Sequence, residues 1–136
     1  PPPPPTASPR RLRGSPRRQP TTGNATRDLT DRQLGIHAQA LTLRATRLQM
    51  IASNIANAAT PGYKARDLDF RAAMDGASVG AATKYRIPAQ TSLDGNTVEL
   101  GTEQTQFAEN AVDYRTTLSF LNGRIQTLMS AIRGGE

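Results

Sequence analysis

Ala52-Ser53-Asn54-Ile55-Ala56-Asn57-Ala58-Ala59-Thr60-Pro61-Gly62-Tyr63 is the stretch that decides how this chain folds. Upstream of it runs a long amphipathic pattern; at Pro61 the backbone is forced to turn. The residue before a proline is pushed out of the helical region, so Thr60 ends any helix that reaches it. Pro61 presets φ for the second position of a turn, and Gly62 supplies the positive φ that the third position of a type II turn requires. Asn54 and Asn57, three residues apart, project from one helix face. There their amides can bond the open carbonyls of the helix end, or backbone outside it.

Working back from the turn, Leu34, Leu41, Leu48 and Ile55 recur every seven residues. Ala38, Ala45, Ala52 and Ala59 repeat with the same period, and small residues of this kind let a second helix approach closely. The pattern predicts a helix over about 29–59, on the order of 45 Å long at 1.5 Å per residue. Its start is placed near Asp28 or Thr30, where Asp28 with Asp31, or Thr30 with Gln33, has the spacing of an N-terminal cap. Gly35 predicts fraying in the first turns. His37 is the one histidine, and with no cysteine in the chain it anchors neither a metal cluster nor a catalytic pair; it reads as a surface or seam residue.

Working forward, residues 60–70 form the turn and an extended arm. In that arm Leu68 and Phe70 share one face while Asp67 and Asp69 share the other. Nothing nearby completes an oxygen cage around the two carboxylates, so no metal site is expected. Residues 71–95, rich in Ala, Gly, Ser and Thr and broken by Pro88 and Asp94-Gly95, read as a flexible connector with a short extended piece at Tyr85 and Ile87. A second helix is predicted over about 97–133, with Asn96 and Glu99 as its capping box and Gly134-Gly135 as its stop. Within it Phe107, Ala111, Tyr114, Leu118, Leu121, Ile125, Leu128 and Ile132 alternate spacings of four and three, the a and d positions of a coiled coil. The expected fold is mainly α: two long terminal helices paired as a coiled coil, joined by the arm and the connector. Met50, Ile51, Val112 and Met129 fall off these seams and are expected to need neighbouring subunits. A two-helix pair that buries only one stripe per helix completes its fold by assembling.

Composition narrows the function. The 136 residues hold no Cys or Trp, with 36% hydrophobic and 4% aromatic side chains, thin material for a self-sufficient core. Residues 1–27 read as a disordered Pro/Arg-rich tail, either a linker or residues foreign to the natural product. Of the net charge of +6, Arg10, Arg11, Arg13, Arg17 and Arg18 supply five, leaving twelve basic against eleven acidic residues for the remainder. A basic arm on a coiled coil is the nucleic-acid alternative, weakened because no aromatic interleaves with the arginines. No apolar run spans a membrane, no cleavable secretory signal is evident, and no phosphate-cradling loop or catalytic pair points to an enzyme.

The decisive stretch also resembles a known pattern. Asn54, Ala56, Asn57, Thr60, Pro61, Gly62 and Tyr63 match, without a departure, the N-terminal signature Asn-x-Ala-Asn-x-x-Thr-Pro-Gly-Tyr of the flagellar rod and hook family. The resemblance extends over about residues 30–70 and 96–134. The absence of an inserted domain between the helices sets it apart from distal-rod and hook members. The runs 63–70, 96–99, 106–110 and 120–125 resemble the earliest rod subunit more than its sister FlgC. The Pro/Arg arm at residues 1–25 has no counterpart in the pattern. What the resemblance implies is a structural subunit of the periplasmic rod, with no cofactor, exported through the type III apparatus without a cleaved signal peptide. Its implied partners are other copies of itself, the rod protein FlgC, the adaptor FliE, the membrane ring and the export gate. The helix seams would build the rod's inner tube, and the turn from Asn54 to Tyr63 with the arm would touch neighbouring subunits.

Overall fold

The computed structural model describes residues 1–10, 14, 16–17 and 22–134. Two long helices dominate it: α1, Thr22–Ala56, and α4, Leu100–Ile132. Between them lie β1 (Arg66–Leu68), α2 (Phe70–Met74), α3 (Val79–Ala82) and β2 (Thr83–Tyr85). α1 and α4 run antiparallel: Arg124 bonds Gln33 near one end of the pair, and Glu103 meets Asn54 near the other. Among the described residues no helix is long and apolar enough to cross a membrane.

α1 starts seven residues before the expected 29. Asp28 and Thr30 are interior positions, and the threonine hydroxyls bond backwards: Thr26 Oγ1 to Thr22 O at 3.2 Å, Thr30 Oγ1 to Thr26 O at 3.1 Å. A hydroxyl engaged with the carbonyl four residues earlier continues a helix instead of capping it. Residues 22–27, expected in the tail, are thus helical. The described part of that tail, residues 1–10, 14 and 16–17, is exposed and carries no helix or strand; Arg11, Arg13 and Arg18 lie outside the described residues. At its other end α1 tightens before the expected residue 59. The Asn57 amide is shared between Ser53 O (3.1 Å) and Asn54 O (3.2 Å), and Ala58 N reaches Ile55 O at 3.2 Å.

The connector over 71–95 is not structureless. The Asp69 side chain caps α2 by accepting from Ala72 N, and Ser78 caps α3 by accepting from Ala81 N. β2 pairs antiparallel with β1 in the register Arg66↔Tyr85, Asp67↔Lys84 and Leu68↔Thr83. The alanines that made this segment read as a linker are its packing residues. Ala73 and Ala82 are buried with Leu43 and Leu68 in one cluster against α1. Phe70 does not continue the strand, as expected of the extended arm, but opens α2. It still packs on the cluster that holds Leu68, with the Arg44 guanidinium 4.4 Å above its ring.

α4 begins at Leu100 without a side-chain cap from Glu99, so the Asn96–Glu99 box does not form. Glu99 Oε1 instead accepts from Ala89 N at 2.6 Å, and the Asn96 amide group turns toward α1. The helix closes with Gly134 at φ +81; Gly135 is outside the described residues. The buried apolar set is small: Ala40, Leu43, Ile51, Ala65, Leu68, Ala73 and Ala82. Ile51, expected to wait for a neighbouring subunit, is fully buried in its own chain, and Met50 packs against the arm cluster. Val112 and Met129 do remain exposed.

Candidate assembly site

The Thr60-Pro61-Gly62-Tyr63 turn forms as its residue types demand. Tyr63 N reaches Thr60 O at 3.2 Å, and Gly62 sits at φ +73. Nothing lies within 4 Å of the Cβ that an alanine would add at Gly62, so substitution there strains only the backbone. Gly62→Ala is expected to cost about 1–2 kcal/mol, read as a shift of the urea midpoint at constant slope. Around the turn, Asn57 Nδ2 donates to Ser53 O (2.8 Å), Thr60 Oγ1 meets Asn57 Oδ1 (3.1 Å), and the Ser53 and Tyr63 hydroxyls lie 3.1 Å apart. Ala56, Pro61 and Gly62 are exposed.

Asn54, the first motif residue, is completely buried. Its amide acts as a substitute peptide for β1: Nδ2 donates to Arg66 O at 2.7 Å and Oδ1 accepts from Arg66 N at 3.0 Å. Nδ2 also reaches Glu103 Oε2 at 3.0 Å. One side chain therefore joins α1, the arm and α4.

The lead-in to α4 docks on the same turn. Gly62 N donates to Asp94 O (2.9 Å), Thr97 N to Tyr63 O (2.9 Å), and Ala65 N to Thr97 Oγ1 (2.8 Å). Asn96 Nδ2 faces three carbonyls at the end of α1: Asn57 O (3.0 Å), Ala58 O (3.0 Å) and Thr60 O (2.8 Å). The carbonyls just beyond the end of α1 are thus bonded by a residue almost forty positions away.

Charges complete the joint. Arg47 grips Asp67 bidentately, Nε to Oδ1 at 2.8 Å and Nη2 to Oδ2 at 3.0 Å, and also donates to Gln106 Oε1 at 2.7 Å. Arg86 Nη2 donates to Asp67 Oδ2 at 2.7 Å. Its Nε lies 2.7 Å from Glu103 Oε1, an ion contact in which the N–H does not point along the line between the atoms. The hydrogen bond from Arg47 to Asp67 raises the arginine's pKa against the effect of its burial, so the guanidinium stays charged. The two acids of the arm are paired with cations, Asp69 with Lys84 Nζ at 2.7 Å. Among the described residues no group of three or more potential ligands gathers.

Lys84, and then the Ala72 amide, hold the Asp69 carboxyl below its usual range. A depressed folded-state pKa favours the folded state above the ordinary carboxylate value of about 4 and loses that contribution as pH falls through the lower value. The α2 amides are therefore expected to keep their NMR shifts from pH 7 to 5 and to change below about pH 4.

The expected seams divide into two parts. Leu34, Leu41, Leu48 and Ile55 are half-buried, as are Ala111, Tyr114, Leu118, Leu121 and Leu128. Phe107, Ile125 and Ile132 are exposed by 38%, 43% and 85%. The innermost positions of α4 are polar instead: Glu103 and Asn110 are fully buried. His37 belongs to the seam and packs on Phe120 with the two rings tilted by 46°, centroids 4.4 Å apart. Sequence reasoning missed Arg47, Arg86, Glu103, Gln106 and Asn110, and read Asn96 as part of the cap of α4 instead. The available signal was a second heptad, Glu103, Asn110, Thr117 and Arg124, beside the apolar one.

Two long helices joined by a small polar joint, with large apolar side chains left open on both and in a row along α4, define a structural helical protein. The family described as flagella basal body rod protein matches residues 34–64, the second half of α1 and the turn. The flagellar basal body rod protein FlgB of Cereibacter sphaeroides is 50% identical over 121 residues, covering 75% of this chain and 94% of that protein. The FlgB proteins of Escherichia coli K12 and Salmonella typhimurium are 41% and 37% identical over 136 residues, covering 80% of this chain and 99% of each relative. The chain belongs to the FlgB family of flagellar basal body rod proteins. It is a structural protein, not an enzyme.

Proposed function

We propose that this chain is a subunit of the proximal flagellar rod that joins neighbouring subunits through an apolar flank of the α1–α4 pair. The observation that carries this reading is the row Leu100, Phe107, Ile125 and Met129 on α4, each more than a third exposed. At 3.6 residues per turn these four fall within about 40° of one another, with half-buried Ala111 and Leu118 in the same strip. The strip lies beside the intrachain contact. Large apolar groups so aligned along roughly 40 Å of helix are what a neighbouring helix would bury. Heterologous contacts between copies extend into a helical assembly, which is the geometry of a rod.

In this reading α1 and α4 pair as a coiled coil in the rod's inner tube. The neighbours are other copies, the sister rod protein FlgC and the adaptor FliE, with the membrane ring and the export gate adjoining. The chain reaches that place unfolded through the type III apparatus, without a cleaved signal peptide. These assignments rest on the family resemblance. The alternative as a nucleic-acid-binding protein is not favoured, since the relatives are rod proteins. The basic tail has no part in assembly in this account: a chain lacking residues 1–20 is expected to restore motility as fully as the intact one.

The test is genetic and biochemical together. Deleting the gene is expected to leave basal bodies without a rod, and the intact chain supplied in trans to restore rods that contain it by mass spectrometry. Normal rods in the deletion strain would contradict the proposal.

A further inference from the structure

Both long helices carry apolar heptads, Leu34, Leu41, Leu48 and Ile55 on α1 and Tyr114, Leu121 and Leu128 on α4. Such repeats fit nearly as well when one helix slides by seven residues, about 10 Å at 1.5 Å per residue. Apolar packing alone therefore leaves the pair with several registers of similar energy. Glu103 and Asn110 are also seven apart, but the groups they meet on α1, the Asn54 side chain and Arg44 O, are not spaced by seven. Among the described residues the buried polar side chains are Asn54, Asn96, Glu103 and Asn110, and each is bonded across the joint between α1 and α4. Glu103 Oε2 meets Asn54 Nδ2; Asn110 Nδ2 donates to Arg44 O at 2.8 Å; Asn96 meets the carbonyls that end α1.

Asn110 gives the clearest indication. Its side chain is fully buried, yet its Oδ1 has no hydrogen-bond partner among the described residues. A buried carbonyl without a donor lowers stability relative to an apolar side chain of similar shape. Asn110 is thus a poor choice for strength and a good one for uniqueness, as a single buried asparagine is in a coiled coil. A slide of seven residues in either direction takes Glu103 away from Asn54 and Asn96 away from the carbonyls that end α1.

We propose that Asn54, Asn96, Glu103 and Asn110 are positioning residues that select a single register of α4 on α1. They thereby fix where the apolar flank of α4 stands relative to the face of α1. The inference concerns the fold of one chain and holds whether or not the reading of that flank as a rod interface is right.

The chain has no cysteine, so two spin labels can be placed cleanly, at Gln49→Cys and Gln126→Cys on exposed positions. These sites are well separated along the pair axis, so a slide changes their distance by about 10 Å. Electron–electron double resonance is recorded on the labelled full-length chain diluted into unlabelled protein, with circular dichroism on the same samples. The unsubstituted background is expected to give one distance. Asn110→Leu and Glu103→Leu are each expected to keep the helical signal, Asn110→Leu with an unchanged or higher midpoint, and to add a second distance. Glu103→Gln, which retains an acceptor for Asn54, is expected to keep the single distance. One distance in both leucine variants would overturn the proposal. So would loss of helix in Asn110→Leu, which would make Asn110 a stabilising residue, or several distances in the background chain.

Discussion

Asn54→Asp is expected to destabilise the chain by about 4 kcal/mol, near the upper end for single substitutions. Asn54 is completely buried and its Nδ2 serves two acceptors, Arg66 O at 2.7 Å and Glu103 Oε2 at 3.0 Å. The aspartate replaces that donor with an oxygen. It faces a carbonyl and a second carboxylate in a site without water access, and like charges at such separation cannot both ionise cheaply. Arg86, already engaged by Asp67 and Glu103, has no free geometry to neutralise the newcomer. The loss is read from urea unfolding followed by circular dichroism, with hydrogen exchange expected to quicken first at the Arg66 amide. A change under 1 kcal/mol would mean that the joint is not closed in solution.

The second large effect lies outside the folded chain. Phe107→Glu combined with Ile125→Glu is expected to leave helix content and midpoint within about 0.5 kcal/mol of the parent, since both side chains are more than a third exposed. The same change places two carboxylates on the strip that the proposed neighbour buries, where an unpaired charge opposes association by several kcal/mol. Motility in soft agar is expected to fall to the level of the deletion strain while the protein is still made. Val112→Glu, about 120° round α4 from the strip at 3.6 residues per turn and 63% exposed, is the comparison expected to leave swimming unaffected in this account.

How much of this was legible in the sequence differs by element, for physical reasons. The turn was readable because Pro61 and Gly62 act through their own backbones, whatever surrounds them. The two helices were readable from their periods, though not their ends. Thr26 and Thr30 offer the same hydroxyl to a cap or to a carbonyl one turn back, and only the folded chain decides between them. The connector was misread because alanine has two uses. Ala73 and Ala82 look like linker residues until Leu43 and Leu68 close around them. The joint was hidden for a different reason. Asn96 lies three residues before Glu99, a spacing that describes a cap equally well, and its bonds to α1 span almost forty residues. Glu103 and Asn110 drew no structural reading from the sequence, because polar residues on long helices usually face solvent, whereas here they form the innermost stripe. The motif, expected to touch neighbouring subunits, spends Asn54, Asn57, Thr60 and Tyr63 on bonds within its own chain.

That division separates two tasks along one chain. The polar joint determines how α1 and α4 lie against each other, and the apolar flank of α4 is left for whatever binds next. Assembly through that flank is the central claim, and accessibility tests it most directly. A single Ile125→Cys chain, the only thiol in an otherwise cysteine-free sequence, is reacted with a maleimide as free protein and again in purified basal bodies. The account predicts rapid labelling of the free chain and protection by at least about tenfold in the rod, the scale expected when a helix face is covered by a packed neighbour. Equal labelling rates in the two states would contradict it.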